Sequence, residues 1–496
     1  MKYLTLVVIG MTFLVSTTIL PASVNAQTAE ELQEQITKLQ DTLQDLQIKM
    51  KSINKKSSDT PKIKVGPGLK IKSGKNEIKI GGRIHFDVGF HDADAPASCE
   101  MADLESGSCF TDGTNFRRLR IGVSGKYGGG YFYKAQVDWG ASAKQASTMS
   151  DSDGNADITS VDEAYLGYNL SKNSTITIGK NKIPLSFAES TSSNGLPFME
   201  RSPAVDAMTD HTLGPKRMNI QYRKWDRKIG YLLEIAGHGS SDMAQTETAD
   251  ESWGTTARLA YAPINEKNHV LHLGGWYDHT TPDVRSGING RGDTSMEWDY
   301  RIGLNISDEK PIDADIGSDL GLVTGMDHYG AELAYLNGPM WFQSEWIWGE
   351  MERATTGSVP TCSSVEANMG YAAAGYVIGG NRSYTIKKGG WKRPKVKQAV
   401  GQGGAGVHEL GIRWTNASLN GLCENYAGQG AMLNYTLGWN WYLNNNTRIM
   451  LNYIHADLDQ EAVDEVTSQS PGTTTAGITN NGAIVRAVGA RFQVNW

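Results

Sequence analysis

The chain has 496 residues, and its 54 acidic side chains outnumber its 47 Lys and Arg, for a formal net charge of −7. Its 20 Tyr and 13 Trp exclude a disordered chain, and beyond the first twenty-odd residues no apolar run reaches the roughly 20 residues of a membrane-spanning helix. The acidic balance argues against nucleic acid as a partner, and 4 Cys without a CxxC pair exclude a disulfide scaffold.

Residues 1–26 have the pattern of a secretory signal peptide. A lysine precedes the apolar stretch Leu4 to Val15, and Val24-Asn25-Ala26 forms a small-residue cleavage site. An uncleaved anchor is the alternative, but the apolar run is short and a proline follows it. We therefore expect export from the cytoplasm and a mature chain that begins at Gln27.

Residues 27–56 predict a short coiled-coil helix. Apolar side chains recur at alternating spacings of four and three, which is the a/d pattern of a heptad repeat. They are Leu32, Ile36, Leu39, Leu43, Leu46, Met50 and Ile53. About three heptads make a marginal helix in water, so we expect this segment to self-associate. One amphipathic helix lying on its own domain is the alternative.

From residue 77 to residue 496 apolar and polar residues alternate with a period of two. The alternation is clearest in Ile78–Phe90, Tyr131–Trp139, Leu433–Trp441 and Val488–Trp496. Strands of about ten residues with aromatic ends, joined alternately by tight turns and long polar loops, are typical of outer-membrane barrels. The pattern predicts an all-β, 16-stranded antiparallel transmembrane β-barrel, closed so that no strand edge meets lipid. A soluble secreted β-protein is the alternative.

Two connections between the predicted strands are unusual. The third long loop, Ile183 to Gly214, is the best candidate for a loop that folds inward and narrows the barrel. The connection at about residues 380–405 lies on the side of the tight turns, yet it is much longer than they are.

Several short motifs follow one another in a fixed order. They are Gly81-Gly82-Arg83, Phe116-Arg117-Arg118, Asp162–Tyr168, Thr191–Asn194, Phe198–Ser202, Gly406–Leu410 with Arg413, Gly438–Tyr442 and Leu451–Tyr453. Because these motifs occur in this order, the chain resembles the phosphate-selective porin O/P family over residues 77–496. The resemblance implies a homotrimer of barrels in the Gram-negative outer membrane, in contact with its lipid. It also implies inward-folded loops, an anion path lined by Arg and Lys, and a periplasmic location for the coiled coil.

Strand parity assigns the candidate anion pathway. It places Lys79 and Arg83 on the lumenal face of the first strand, and Arg118 and Arg120 on that of the second. Arg117 lies near a loop, where parity is insecure, but the resemblance assigns it to the constriction together with Arg118. Guanidinium groups stay charged and bind phosphate oxygens in pairs, so these five residues predict selection of anions.

The linker at residues 57–76 carries a basic cluster at the predicted periplasmic mouth. Its members are Lys62, Lys64, Lys70, Lys72 and Lys75. A solvated linker that binds anionic lipid or peptidoglycan is the alternative.

A lumen that carries both positive and negative charges is an alternative to anion selection, because strand parity also turns acidic side chains inward. These are Asp87, Asp138, Glu163, Glu234 and Glu409.

The sequence therefore predicts a passive outer-membrane channel for anions, with phosphate or polyphosphate as the permeant. By resemblance, phosphate-specific members of the family carry a lysine just before Thr191, where this chain has Ser190 after Glu189. This difference favours a broader anion porin over strict phosphate selectivity. A general non-specific porin and a structural protein that anchors the membrane to the cell wall are the alternatives.

No enzyme, metal site or cofactor is expected. The sequence Gly401 to Gly406 matches GxGxxG, but a strand rather than a helix follows it. The histidines lack metal-ligand spacing, and His408 falls on the apolar face of its strand.

The four cysteines all fall in predicted external loops. Because the periplasm through which they pass is oxidising, we predict the bridges Cys99–Cys109 and Cys362–Cys423.

Overall fold

The computed structural model describes residues 40–44, 46, 61–94, 110–140, 160–209, 214–239, 252–282, 297–307, 309–315, 323–353, 364–419, 430–459 and 482–496. The chain divides into two units, Met1–Lys62 and Ile63–Trp496. In the first unit, residues 40–44 are helical, and Leu43 and Leu46 of the predicted seam are exposed. The signal peptide, the rest of the heptad repeat and all four cysteines lie outside the described residues, so these predictions stay predictions.

The described part of the chain consists mainly of strands. They are β1 (Lys62–Gly66), β2 (Gly68–Ser73), β3 (Asn76–Ala93), β4 (Gly113–Tyr127), β5 (Tyr131–Asp138), β6 (Ser160–Ser171), β7 (Ser174–Lys182), β8 (Lys216–Asp226), β9 (Tyr231–His238), β10 (Trp253–Asn265), β11 (His269–Thr281), β12 (Glu297–Tyr300), β13 (Ile312–Asp315), β14 (Val323–Asn337), β15 (Met340–Arg353), β16 (Ser364–Ile378), β17 (Ser383–Thr385), β18 (Gly390–Lys392), β19 (Val407–Ser418), β20 (Ala431–Tyr442), β21 (Thr447–Leu458) and β22 (Ala483–Asn495). Two short helices, α1 (Phe187–Ser190) and α2 (Pro203–Thr209), lie between β7 and β8. Among the described residues, no helix is long and apolar enough to cross a membrane.

Strands β3–β11, β14–β16 and β19–β22 form the predicted closed antiparallel barrel of 16 strands. Each strand pairs with its neighbour along the chain, and β22 pairs with β3 to close the cylinder, with Asn495 opposite Arg83. Strand β2 pairs with the start of β3, from Leu69 opposite Ile80 to Ser73 opposite Asn76. The hairpins β12–β13 and β17–β18 form two separate small sheets.

The period of two sorts side chains between the outside of the barrel and its lumen. Outward positions are apolar and exposed, as for Leu166, Ile178 and Leu259, because lipid rather than protein covers them. Lumenal positions are polar, and they are buried because other parts of the chain fill the barrel. The inward acids predicted from parity, Asp87, Asp138, Glu163, Glu234 and Glu409, each pair with a lumenal Arg or Lys.

Three connections fold into the barrel. The third loop, residues 183–214, carries α1 and α2, and most of its described residues are buried, as predicted. The fifth loop, residues 282–322, carries β12 and β13 and buries Trp298, Ile302 and Leu304. The long connection predicted from the sequence, here called the insert (residues 379–406), carries the hairpin β17–β18 and buries Trp391 beside the third loop.

Candidate functional site

A bulge in β4 determines which arginines face the lumen. On β3, His85 lies opposite Arg118, but the next residue, Phe86, lies opposite Phe116. Arg117 is therefore the extra residue of a β-bulge, which changes the parity of the strand at that point. Phe116 is exposed on the outer face, whereas Arg117 and Arg118 both turn inward. The bulge thus explains why Arg117 faces the lumen, a direction that strand parity alone did not determine.

Arg117 belongs to a compact network of ion pairs with the third loop. Its Nε and Nη2 donate to the two carboxylate oxygens of Glu200 at 3.0 and 3.1 Å. Glu200 also accepts from Arg491, which pairs in turn with both oxygens of Asp87. Burial disfavours the ionised form of Glu200, but Arg117 and Arg491 outweigh it and hold its pKa well below the usual range. Arg117 therefore fastens the loop to the wall.

Arg120 is also neutralised by carboxylates. Its Nε lies 2.5 Å from Asp138 and its Nη2 lies 2.9 Å from Asp162, which Lys216 contacts as well. The regular pairing of β3 with β4 puts Arg83 opposite Arg120, whereas Arg118 lies opposite His85. Arg83 donates to Ser193 Oγ of the third loop at 2.6 Å, and it has no carboxylate partner among the described residues.

Arg118 is the least satisfied cation of the group. It is 5% exposed, and its Nε and Nη1 have no hydrogen-bond partner among the described residues. His85 lies opposite on β3, with its Nε2 3.3 Å from Asn194 Oδ1 and its Nδ1 also unpartnered. A buried guanidinium without an acceptor is costly, so this pair of side chains marks a place where an anion can supply the missing acceptors.

The third loop is held in place through its backbone carbonyls. Lumenal side chains donate to five of the six backbone carbonyl oxygens of residues 195–200. The pairs are Arg382 with Gly195 at 2.6 Å, Arg448 with Leu196 at 2.7 Å, Asn440 with Pro197 at 2.7 Å, Arg491 with Met199, and Arg413 with Glu200 at 3.0 Å. Many of the lumenal arginines therefore hold the loop in position and are not available to bind solutes.

The start of α1 is fixed by a carboxylate of the barrel wall. Glu345 accepts from the backbone N–H groups of Phe187 and Ala188 at 2.8 and 2.9 Å, which satisfies two donors at a helix N-terminus. Glu189 on this helix is neutralised by Lys182 and by Arg201 at 2.7 Å. Burial opposes its ionisation, but these two cations prevail and lower its pKa to about 2. Ser190 accepts from Arg258 at 2.7 Å.

The basic cluster of the linker is only partly brought to the lumen. Lys64 and Lys70 line a cavity of about 490 Å³ together with Lys79 and Arg83. Lys79 and Lys70 both bind Glu77, at 2.9 and 2.8 Å. The other three predicted members do not line this cavity and lie exposed, namely Lys62, Lys72 and Lys75.

A second cavity of about 420 Å³ contains cations that the sequence analysis missed. Its lining includes Lys126, Lys134, Lys182, Arg223, Lys387 and Lys388, together with the carboxylates Glu77, Glu163, Glu189 and Glu234. Three of these carboxylates pair with Lys134, Lys182 and Arg223, which leaves the two lysines of the insert without a carboxylate partner among the described residues. The insert is fixed here because Arg258 donates to the carbonyl oxygens of Lys388 and Gly389 at 3.0 and 2.8 Å. The unusual length of this connection was the only signal in the sequence, and it did not indicate which way the segment folds.

No metal site is found in the part of the chain that the structure describes. No group of three His, Cys, Asp or Glu there is arranged to hold a metal ion. His408 lies on the outer face between Trp439 and Trp441, with the rings nearly parallel. Its outward position was predicted, and the stack is typical of an interfacial aromatic girdle.

Comparisons with known proteins identify a family and several similar proteins. A family model described as phosphate-selective porin O and P matches residues 78–483. Porin O of Pseudomonas aeruginosa is 24% identical over 424 residues, which cover 80% of this chain and 87% of that protein. An uncharacterised protein of Caulobacter vibrioides is 27% identical over 353 residues, which cover 70% of this chain and 62% of that protein. Among solved structures, an anion-selective porin from Comamonas acidovorans is 13% identical with a TM-score of 0.47, covering 85% of this chain and 100% of its own.

Proposed function

The chain belongs to the family of phosphate-selective porins O and P, and we propose that it is an anion-selective diffusion channel controlled at Arg118. As a member of this family, the protein is a β-barrel channel of the Gram-negative outer membrane. Diffusion through such a channel requires no catalysis. What remains to be assigned is the class of solute that the lumen favours.

The unpaired cations Arg118 and Arg83 carry the proposal. The other arginines of the predicted pathway, Arg117 and Arg120, are bound to carboxylates, so they add little net charge to the path. Arg118 and Arg83 have no such partner among the described residues, and the third loop lies against Arg83 through Ser193. In a narrow lumen of lowered dielectric, one or two uncompensated guanidiniums attract anions and repel cations.

Phosphate and polyphosphate fit this arrangement as permeants. An arginine fork binds two oxygens of an oxyanion at once, and Arg118 has unpartnered donors on two sides of its guanidinium, at Nε and at Nη1. His85 adds an unpartnered Nδ1 opposite Arg118, and Ser193 adds a hydroxyl group at Arg83. We propose that oxyanions bind here for longer than chloride does, and that the preference extends beyond phosphate because Ser190 replaces a further lysine.

A general porin of weak selectivity is the second candidate. It is favoured by the ion pairs that neutralise Arg117, Arg120, Arg382 and Arg491. In such a lumen the local charges cancel, and solute size alone decides passage.

The two candidates differ in the effect of Arg118→Glu. We expect the purified full-length protein in planar bilayers to prefer chloride over potassium in a salt gradient. Arg118→Glu should move the reversal potential towards potassium and abolish block of chloride current by phosphate, because it replaces the uncompensated positive charge with a negative one.

Two variants serve as controls. Arg118→Lys keeps the charge and should keep chloride selectivity, with weaker phosphate block because a lysine cannot form the fork. Arg486→Glu makes the same change of charge on the outer face, beside Asp92 and Asp94, and should leave the reversal potential unchanged. An unchanged reversal potential in Arg118→Glu would favour the general porin.

A further inference from the structure

The cavity of about 420 Å³ combines cations with aromatic rings. Phe132 and Tyr165 both line it, and both side chains are only partly buried. Their ring centroids are 6.4 Å apart with an interplanar angle of 81°, which is an edge-to-face pair. Both residues occupy lumenal positions on β5 and β6, where the alternation of the barrel otherwise places polar side chains.

The absence of a side chain at Gly167 leaves room for the ring of Phe132 to lie against the wall. Gly167 lies directly opposite Phe132 on β6, and a Cβ on Gly167 would lie 2.2 Å from the ring. The ring therefore occupies the space that a side chain at residue 167 would take. Phe132 also lines the cavity, so its ring is accessible from the lumen. A bare phenyl face gains nothing from a small inorganic anion, because the face of the ring carries negative charge density.

Basic residues line the same cavity as the aromatic pair Phe132 and Tyr165. Lys388 of the insert is exposed and lines the cavity, and its side-chain ammonium group has no hydrogen-bond or ion-pair partner among the described residues. Lys387 lies with its Nζ 4.3 Å from the centre of the Trp225 ring. Burial and the nearby Arg223 lower the pKa of Lys388, and an anion bound beside it would oppose both effects.

We propose that this cavity is a binding subsite for organic anions that carry an aromatic ring next to a phosphate or carboxylate group. The ring stacks on Phe132, and the anionic group lies towards Lys388 and Lys387. The volume falls within the roughly 300–1,000 Å³ typical of pockets for small organic ligands. The subsite rests on the proposed function, because an organic anion reaches it only through an anion-selective lumen.

The test compares two ligands that share one charged group. Phenyl phosphate and methyl phosphate are added separately to the wild-type channel in planar bilayers, and the concentration that halves the chloride current is measured for each. We expect phenyl phosphate to block at a concentration about fivefold lower, since ring stacking contributes on the order of 1 kcal/mol. Phe132→Leu should bring the ratio of the two concentrations close to one, whereas Phe132→Tyr should preserve it.

A second pair of variants tests the subsite independently, in case Phe132→Leu does not fold. Tyr165→Leu should also reduce the ratio, and Tyr168→Leu, on the outer face of the same strand, should not. Equal block by both phosphates in the wild-type channel, or an unchanged ratio in both Phe132→Leu and Tyr165→Leu, would overturn the subsite alone. Absence of block by methyl phosphate together with loss of chloride preference would instead overturn the proposed function.

Discussion

Single glycines decide how the barrel closes. Gly82 exchanges two backbone hydrogen bonds with the C-terminal Trp496, at 3.1 and 3.0 Å. A Cβ on Gly82 would lie 2.4 Å from the carbonyl oxygen of Arg120 and 2.5 Å from the Trp496 ring. The Gly81-Gly82-Arg83 motif therefore has a physical explanation. The glycines admit the terminal tryptophan, and the arginine that follows faces the lumen.

Gly82→Ala should weaken the closed barrel. The added methyl group meets backbone on one side and an indole ring on the other, and such overpacking costs about 1–3 kcal/mol. We expect the temperature at which the folded form is lost on heating, followed by gel mobility, to fall by several degrees. Gly237→Ala is the matched control, because a Cβ there has nothing within 4 Å. Equal heat stability of the two variants would contradict this account.

Among the elements, the insert and the third loop stabilise each other inside the barrel. Trp391 of the insert packs edge-on against Phe187 of α1, with centroids 5.1 Å apart, and donates to Gln343 of the wall at 2.9 Å. Its backbone N–H donates to Thr191 Oγ1 of the third loop at 3.1 Å. One aromatic side chain thus joins a connection from the periplasmic side to the loop that narrows the lumen.

Trp391→Ala should loosen this junction and widen the lumen. Loss of a buried tryptophan removes about 3–5 kcal/mol of packing, and the local effect falls on the two inward-folded segments. We expect larger and noisier single-channel currents with the barrel still formed. Trp348→Ala removes the same side chain from the outer face, where it is exposed to lipid, and should leave the current as in wild type. Identical currents in both variants would show that the junction does not control the lumen.

At the scale of the whole molecule, the predicted coiled coil concerns how the barrels assemble into a trimer. The heptad seam of residues 27–56 lies almost wholly outside the described residues, and the homotrimer follows from family resemblance alone. The closed hydrogen-bonding of the barrel, by contrast, lies within residues 76–496. The barrel therefore requires no strand from the coiled-coil segment.

Deletion of residues 27–56 should leave folded barrels and weaken the trimer. A helix of about three heptads gains stability by association, so its loss lowers the heat stability of the trimer more than that of the barrel. Native gels over a heating series, with barrel formation followed in parallel, measure both. A trimer that survives the same temperatures as the full-length protein would exclude a role for the seam.

The architecture could be predicted from local patterns because a bilayer imposes them residue by residue. Each outward position must be apolar and each strand must be long enough to cross, so alternation, loop lengths and the inward acids were all predictable. The same rule placed Lys79, Arg83, Arg118 and Arg120 inward. It did not reveal which charges cancel, since Arg120 meets Asp138 and Asp162 only after three strands have been aligned.

The filling of the lumen was decided by the tertiary structure. The sequence alone determined a closed barrel with an alternating wall, because that pattern depends on neighbours one or two residues apart. The bulge at Arg117, the inward insert and the isolation of Arg118 depend on contacts between residues far apart in the chain. A guanidinium on a lumenal face has the same sequence signature whether it pairs with Glu200, holds a loop carbonyl or stays unpaired. Only the fold of the third loop and the insert distinguishes these outcomes, because their backbone and side chains supply or withhold the acceptors.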